Sequence, residues 1–167
     1  MKVEIKKASV QQKPILQNLL QLYLYDFSEF AGADVNEEGI FEDRNLDTYW
    51  QSDPTRIPFL VFVDEKIAGF VLLNSKTCLY KQGEAKAFAE FFVMRKYRNK
   101  GIGKKVAFTL FEKFPGKWEI RQLEENKHAQ EFWRKIIREY TKGNFQEIAR
   151  HKKWRGPIQT FDNSNKI

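Results

Sequence analysis

The spacing of apolar side chains predicts three helices. From Pro14 onward, apolar residues recur every three or four positions, which is the period of one helix face, and proline is favoured in a first helical turn. A second stripe with the same period follows Gly103 and ends near Pro115. A third stripe begins after Asn126. The apolar positions of the three stripes are Ile15, Leu16, Leu19, Leu20, Tyr23, Leu24 and Phe27, then Val106, Ala107, Leu110 and Phe111, then Ala129, Phe132, Trp133, Ile136 and Ile137.

Continuous apolar runs predict the strands around these helices. Residues 59–74 indicate two strands joined by a turn at 64–66. Residues 86–94 are apolar on nearly both faces, which is typical of a strand near the centre of a sheet. Further strands are predicted at residues 3–6, 117–123, 144–150 and 157–163, with a short helix at about 43–50.

The order of these elements predicts an α/β fold of the α+β type. Helices are expected to flank a mixed, mostly antiparallel central sheet. With 167 residues and a hydrophobic content of 42%, the chain can bury a sizeable core. We therefore expect a single domain that spans residues 1–167.

Cysteine and histidine usage narrows the chemistry. Cys78 is the single cysteine, which excludes an internal disulfide and a site with several thiolate ligands. The histidines are His128 and His151, so no metal site is expected. Residues 1–13 lack the apolar centre of a signal peptide, and no later run approaches the length of a membrane span. These features favour a cytoplasmic protein without a membrane partner.

The net charge of +7 is distributed unevenly. Residues 26–53 contain nine acids and one base, whereas residues 95–117 contain eight bases and one acid. This separation fits two partners of opposite charge, and it also fits two solvated faces. A nucleic-acid-binding module would use the basic charge, but the chain has no RNP-like or zinc pattern and its aromatic residues fall on core positions. We therefore expect no nucleic-acid partner.

The basic region contains the sequence RNKGIGKK at residues 98–105, between a predicted strand and a predicted helix. Lys105 stands where a Walker loop needs serine or threonine, and Val106 stands where a dinucleotide fingerprint needs its third glycine. Gly101 and Gly103 leave the backbone unobstructed, so that successive N–H groups can bind an anion beside a helix N-terminus. The turn suits a pyrophosphate without a metal, and the alternative is an ordinary helix start with solvated lysines.

The segment EFFVMRKYRNKGIGKKVAFTLFE, residues 90–112, resembles the signature of the GNAT family of N-acetyltransferases. The hallmark of that family is Q/R-x-x-G-x-G/A, which runs here from Arg98 to Gly103. The resemblance covers most of the chain, because the motif, the flanking strand and the element order agree, and it is weakest in the acidic segment. It implies a GNAT-like acyl-CoA N-acyltransferase fold, in which a central strand splays from its neighbour, and acetyl-CoA as the acyl-donor substrate.

The resemblance also implies which residues bind acetyl-CoA. The pantetheine arm is expected along residues 92–94 and the pyrophosphate on the amides of residues 99–104. Asn126 matches a family asparagine that contacts the cofactor, although its composition alone favours a helix N-cap. Trp133 stands where many relatives have a tyrosine that protonates the CoA thiolate, which an indole cannot do, and Tyr140 lies two turns further on. The implied cofactor-binding residues are Phe92, Val93, Met94, Arg98, Asn99, Lys100, Gly101, Ile102, Gly103, Lys104, Asn126 and Trp133.

The implied reaction is direct transfer of an acetyl group to a primary amine in a ternary complex. Such an amine, with a pKa near 10, is only about one part in a thousand uncharged at pH 7, so the site needs a proton acceptor. Glu90 is the carboxylate on the central strand and is the predicted general base, and the alternative is an ion pair with a lysine. Cys78 is interpreted as a packed or incidental thiol.

The acidic segment, residues 26–53, indicates the acceptor. In the GNAT family this part of the chain helps to wall the acceptor cleft, so we expect a cationic amine: a polyamine, an aminoglycoside-like amine or a lysine-rich peptide. Two alternatives stay open: an acidic loop that only aids solubility, and a non-catalytic acyl-CoA-binding or regulatory protein. A homodimer is neither required nor excluded. The aromatic residues that could cover such a ligand are Phe27, Phe30, Phe41, Tyr49 and Trp50.

Overall fold

The computed structural model describes residues 1–42 and 45–165 and contains one seven-stranded sheet with helices on both faces. Its elements are β1 (Val3–Lys7), α1 (Lys13–Ala31), β2 (Ile57–Val63), β3 (Lys66–Asn74), β4 (Ala85–Val93), α2 (Ile102–Lys113), β5 (Lys117–Arg121), α3 (Lys127–Thr141), β6 (Gln146–Ile148) and β7 (Ile158–Asp162). The strand order is β1-β2-β3-β4-β5-β7-β6, and only β4 and β5 pair in parallel within the described residues. This arrangement confirms the predicted fold class.

Two predicted elements differ from the observed ones. The short helix predicted at 43–50 is a 3-10 helix at Leu46–Trp50, and Asp43 and Arg44 lie outside the described residues. The strand predicted at 144–150 is shorter, because β6 pairs with β7 only over three residues and is exposed along its whole length. Further 3-10 helices lie at Val10–Gln12 and Arg95–Tyr97.

Side chains that alternate along the strands build one hydrophobic core on each face of the sheet. α2 and α3 cover the core that contains Trp118 and Phe111, whose rings meet edge to face at 5.0 Å. α1 covers the other core, in which Leu16 lies near Leu60 and Phe70. Burying one such side chain contributes roughly 1.5–3 kcal/mol. No helix within residues 1–42 and 45–165 is long and apolar enough to cross a membrane.

The sheet opens between β4 and β5. These strands pair only at Ala85 with Lys117 and at Lys86 with Trp118, within the part of the chain that the structure describes. Beyond these pairs, β4 stays registered with β3, and a bulge at Ala89 interrupts that register. The second half of β4 therefore has one edge that pairs with β3 and one edge that faces the gap towards β5.

A buried carboxylate fastens the loop after β3 to the α1 side of β5. Both oxygens of Glu119, which is fully buried, accept backbone hydrogen bonds, from Cys78 N–H at 2.7 Å and Leu79 N–H at 2.9 Å. The guanidinium of Arg121 lies 3.4 Å from Glu119 and donates to the Lys76 carbonyl at 2.8 Å. Cys78 is thereby a packed thiol, as its sequence context indicated.

α1 is fastened to the segment after β4 by one carboxylate. Asp26 accepts hydrogen bonds from Arg95 at 2.6 Å and from Arg98 at 2.5 Å. Partial burial acts to raise the pKa of the Asp26 carboxyl, but the hydrogen bonds from Arg98 and Arg95 oppose it and hold that pKa below its usual range. This pair of contacts, the Asp26 clamp, links α1 to the start of the glycine turn.

The Asp26 clamp has a pH-dependent effect on stability. We expect Asp26→Asn to lower the free energy of unfolding by about 1 kcal/mol at pH 7. Because the folded-state pKa of Asp26 lies below the unfolded value of about 3.9, this contribution is present above that value and is lost as the pH falls through the folded pKa.

Urea unfolding of the wild type and of Asp26→Asn between pH 7 and pH 3 measures the effect. The difference between the two proteins should narrow as the pH falls, and a difference that stays constant would contradict the clamp. Glu29→Gln, an exposed change on the same helix, is the control and should stay within about 0.5 kcal/mol of the wild type.

Candidate active site

The glycine turn leads from β4 into α2 and leaves its backbone donors exposed. Gly101 is the N-cap residue, with φ 75° in the left-handed region, and Asn99 has φ 59°. The first helical hydrogen bond runs from Lys105 N–H to the Gly101 carbonyl at 3.0 Å, and the N-cap residue, a glycine, has no side chain that could cap the helix. The N–H groups of Ile102, Gly103 and Lys104 therefore precede the helical ladder and are free to bind an anion.

The space above this turn is open at one glycine and filled at the other. A Cβ atom added to Gly101 would meet no heavy atom within 4 Å. A Cβ atom added to Gly103 would lie 3.0 Å from the ring of Phe132, a residue of α3 that also stacks on Phe91 with ring centroids 5.8 Å apart. Gly103 therefore lets α3 pack closely against the turn, whereas Gly101 is required by its backbone conformation.

Two of the predicted cations of the turn are bound to carboxylates of the chain itself. Arg98 is held by Asp26 and also donates its Nε to the Val93 carbonyl at 2.7 Å. Lys104 pairs with Glu139 of α3. Lys100 is exposed and has no ion pair in the described ranges, and the same is true of the neighbouring Lys105. The positive charge that remains for a phosphate is therefore smaller than the sequence suggests.

The register of β4 shows which backbone groups face the gap. Met94 N–H donates to the Ala68 carbonyl of β3 at 2.8 Å. Because backbone groups alternate along a strand, the N–H groups of Phe92 and Met94 point towards β3, and those of Phe91 and Val93 point towards the gap. Of the predicted residues 92–94, Val93 is thus placed to bind a ligand in the gap, and Phe91 was missed.

The two predicted residues of α3 have defined structural roles. Asn126 is the N-cap, and its Oδ1 accepts from Ala129 N–H at 3.0 Å, as the composition indicated. Trp133 is buried, with its ring 4.8 Å from that of Phe88 and 5.3 Å from that of Phe91. This position makes Trp133 part of the wall on the α3 side of β4.

Tyr140 lies two turns after Trp133 in α3. Its hydroxyl accepts from Asn163 Nδ2 at 3.0 Å, and its ring packs against Phe111 between α2 and α3. Burial raises the pKa of Tyr140 to about 12. Tyr140 is therefore a core residue of the helix pair.

Glu90 lies on the α1 side of the sheet, close to the side chain of Tyr23. Burial raises the pKa of Tyr23 well above its usual value, and the charge of Glu90 raises it further. The general-base role of Glu90 and its alternative, an ion pair with a lysine, both stay predictions. Sequence analysis had treated Tyr23 only as a core position, although its hydroxyl is the one polar atom in that apolar stripe.

A loop between β6 and β7, which sequence analysis missed, packs against the end of β5. Glu119 and Arg121 alternate with Trp118 and Ile120, which pack under α2 and α3, so Arg121 faces the α1 side. The ring of Trp154 lies 4.8 Å from the Arg121 guanidinium, and its Nε1 donates to the Gln122 carbonyl at 2.9 Å. The run of basic residues around Trp154, between β6 and β7, was the available signal.

The acidic segment contains both paired and unpaired carboxylates. Asp26, Asp47 and Asp53 each form ion pairs, the last two with Lys13 and Arg56. The exposed acids that have no ion pair in the described ranges are Glu29, Asp34, Glu37 and Glu38.

The aromatic residues of the acidic segment are also of two kinds, those in the core and those that are half-buried. Tyr49 is buried, and Trp50 Nε1 donates to the Ala8 carbonyl at 3.2 Å, so both belong to the core. Phe27, Phe30 and Phe41 are half-buried. A cavity of about 300 Å³ lies between α1 and the acidic loop, with Leu24, Asp34 and Phe41 among its lining residues.

Known acetyltransferases share this fold. The chain is similar to an acetyltransferase from Thermus thermophilus (TM-score 0.69, 14% identity, 97% of each chain covered). It is also similar to a PaiA N-acetyltransferase from Thermoplasma acidophilum in complex with coenzyme A (TM-score 0.59, 15% identity, 97% of this chain and 99% of that chain). A chimera containing the spermidine N-acetyltransferase SpeG from Vibrio cholerae gives a TM-score of 0.60 at 13% identity, with 98% of each chain covered. These identities show the fold alone.

The family assignment rests on the sequence. No curated protein matches the chain by sequence. The profile of the acetyltransferase (GNAT) family matches residues 16–137, a span that includes the gap between β4 and β5, the amides of residues 99–104 and Glu90. With a match over most of its length, the chain belongs to the acetyltransferase (GNAT) family.

Proposed function

We propose that this protein transfers an acetyl group from acetyl-CoA to a primary amine by direct transfer in a ternary complex. One observation carries the proposal: the N-terminus of α2, with its exposed N–H groups, follows β4, and the second half of β4 has an edge that faces the gap towards β5. The third feature is the Glu90 carboxylate, which lies on the α1 side of the same strand. The first two features suit a nucleotide with an extended arm, and the third suits a proton acceptor.

The residues present fit acetyl-CoA. The N–H groups of residues 102–104 would hold the pyrophosphate, and the exposed Lys100 and Lys105 would add positive charge. The N–H groups of Phe91 and Val93 would pair with amide carbonyls of the pantetheine arm, as a further strand would. Acetyl-CoA supplies the activated acetyl group, and no metal is needed for this role.

The chemistry that remains for the protein is proton transfer and orientation. Glu90 takes a proton from the ammonium form of the acceptor, and the nitrogen of the resulting free amine forms a bond to the acetyl carbon as the carbon–sulfur bond breaks. The nitrogen then loses its second proton to water, which leaves a neutral amide. The thiolate that leaves takes a proton from water, because the indole of Trp133 cannot supply one. Glu90 returns its proton to solvent.

The charges of the acidic segment support a cationic acceptor. Glu29, Asp34, Glu37 and Glu38 are exposed acids without ion pairs in the described ranges, and half-buried aromatic rings lie on the same segment. Exposed carboxylates raise the local concentration of cations, and aromatic faces bind them at close range. The similar SpeG chimera is named for spermidine, which supports a polyamine as one such acceptor. We therefore propose a polyamine-like or lysine-rich acceptor.

The first test concerns the turn. Gly101→Val should weaken acetyl-CoA binding tenfold or more, because a β-branched residue is strained by roughly 1–2 kcal/mol or more at a left-handed φ and reorients the neighbouring N–H groups. Lys105→Ala removes only exposed charge and should weaken binding less than threefold at 0.15 M salt. Calorimetric titration with acetyl-CoA gives both values, and the opposite order would refute the backbone cradle.

The second test concerns catalysis and the acceptor. Free thiol released from acetyl-CoA is measured with spermidine, a lysine-rich peptide, a neutral amine and glutamate as acceptors. We expect turnover to be highest with the cations and to fall steeply with salt. The combined change Asp34→Asn, Glu37→Gln and Glu38→Gln should lower kcat/KM for spermidine about tenfold.

Glu65→Gln combined with Glu131→Gln removes exposed acids outside the acidic segment and is the matched control. A preference for glutamate, or turnover that is insensitive to salt, would contradict the cationic acceptor. Saturable binding of acetyl-CoA without thiol release with any amine would instead favour a non-catalytic acyl-CoA-binding protein.

A further inference from the structure

Gly69 lies in the middle of the sheet, beside the part of β4 that borders the gap. It belongs to β3 and stands opposite Val61 of β2 on one side and Val93 of β4 on the other. A bulge at Ala68 precedes it in the pairing of β2 with β3. A glycine inside a strand weakens it, and its presence often marks the close approach of another backbone.

The group that approaches Gly69 is the carbonyl of Phe92. A Cβ atom added to Gly69 would lie 2.0 Å from the carbonyl oxygen of Phe92 and 3.0 Å from its carbonyl carbon. Carbon–oxygen contacts between neighbouring strands are normally about 3.3–3.6 Å. The Phe92 carbonyl therefore occupies the space that any side chain at position 69 would need.

The packing around Gly69 determines which strand would yield to such a side chain. Ala68, Phe70 and Val61 are fully buried, so β3 is held on both faces and on its β2 edge. β4, by contrast, has no strand paired with its other edge at Phe92 within the described residues. A side chain at position 69 would consequently push the Phe92 carbonyl, and β4 with it, towards the gap.

The peptide unit that contains this carbonyl also contains the N–H of Val93. A trans peptide is planar, so the C=O of Phe92 and the N–H of Val93 point in opposite directions. With the carbonyl resting against Gly69, the N–H points towards the gap. The Val93 carbonyl is fixed as well, because it accepts a hydrogen bond from Arg98 Nε at 2.7 Å.

We infer that Gly69 is a positioning residue for the acyl donor: its lack of a side chain lets the Phe92 carbonyl rest against β3 and so points the Val93 N–H at the arm of acetyl-CoA. This inference rests on the proposed function, in which that N–H pairs with a carbonyl of the pantetheine arm. Gly69 touches neither substrate and acts through the peptide unit between Phe92 and Val93.

Gly69→Ala tests the inference when its binding of two ligands is compared by calorimetric titration. Acetyl-CoA reaches both the glycine turn and β4, whereas 3′-phospho-ADP, the nucleotide part of CoA, reaches only the turn. We expect Gly69→Ala to weaken acetyl-CoA binding about tenfold or more, which is the cost of leaving one buried donor or acceptor unpaired. Binding of 3′-phospho-ADP should stay within about twofold of the wild type, because the turn is unchanged.

Val61→Ala is the matched control, since it weakens the core beside Gly69 on the side of β3 away from β4. It should lower the thermal unfolding midpoint and leave the binding of both ligands within about twofold of the wild type. This comparison separates a general loss of stability from a displaced Val93 N–H.

Hydrogen exchange in the wild type decides the question if Gly69→Ala does not fold. Acetyl-CoA should slow the exchange of the Val93 N–H about tenfold or more, and 3′-phospho-ADP should leave it nearly unchanged. If acetyl-CoA does not slow this exchange, or if both ligands slow it equally, the Val93 N–H does not bind the arm and the inference is wrong.

The titrations also distinguish failure of the inference from failure of the proposed function. If the wild type binds acetyl-CoA and Gly69→Ala binds both ligands as the wild type does, or loses both to the same extent, Gly69 does not position the arm. If the wild type itself does not bind acetyl-CoA, the proposed acyl donor is wrong, and the inference fails with it.

Discussion

The parting of β4 and β5 is the constraint on which the rest of the site depends. After two registered pairs the strands separate, and the second half of β4 keeps hydrogen bonds to β3 on one edge only. A sheet that stayed paired would have no free strand edge beside the N-terminus of α2. The sheet can open because each side is held separately: β4 by β3, and β5 by β7 and by the loop that Glu119 fastens.

α1 joins the two sides of the proposed reaction. Asp26 ties it to the arginines that precede the glycine turn, and Tyr23, three residues earlier, packs against Phe92 of β4, the strand that carries Glu90. Residues three apart lie on neighbouring parts of one helix face, so a single helix contacts both the segment before the turn and the strand with the carboxylate. Aromatic packing and ion pairs hold the contact surface of α1 in place. A shift of α1 would therefore disturb both sites together.

Periodicity predicted most helices and strands, because amphipathic stripes and apolar runs report directly on burial. The sequence did not reveal the face on which Glu90 lies, since a one-residue bulge at Ala89 reverses it and carries no compositional signal. It overstated the charge of the turn, because Arg98 and Lys104 are bound by Asp26 and Glu139, which are distant in the chain. Glu119 was missed because a lone acid in an apolar strand does not indicate which N–H groups it will accept from.

The central claim is that acetyl-CoA lies along the free edge of β4 with its pyrophosphate at the start of α2. The most direct measurement is a titration of the 15N-labelled protein with acetyl-CoA, followed through the backbone amide signals in NMR spectra. The largest saturable shifts should fall on residues 99–104 and on Phe91 and Val93, while Phe92 and Met94, whose N–H groups point towards β3, shift less. Shifts concentrated on the outer face of α3 or on β1 would contradict the account.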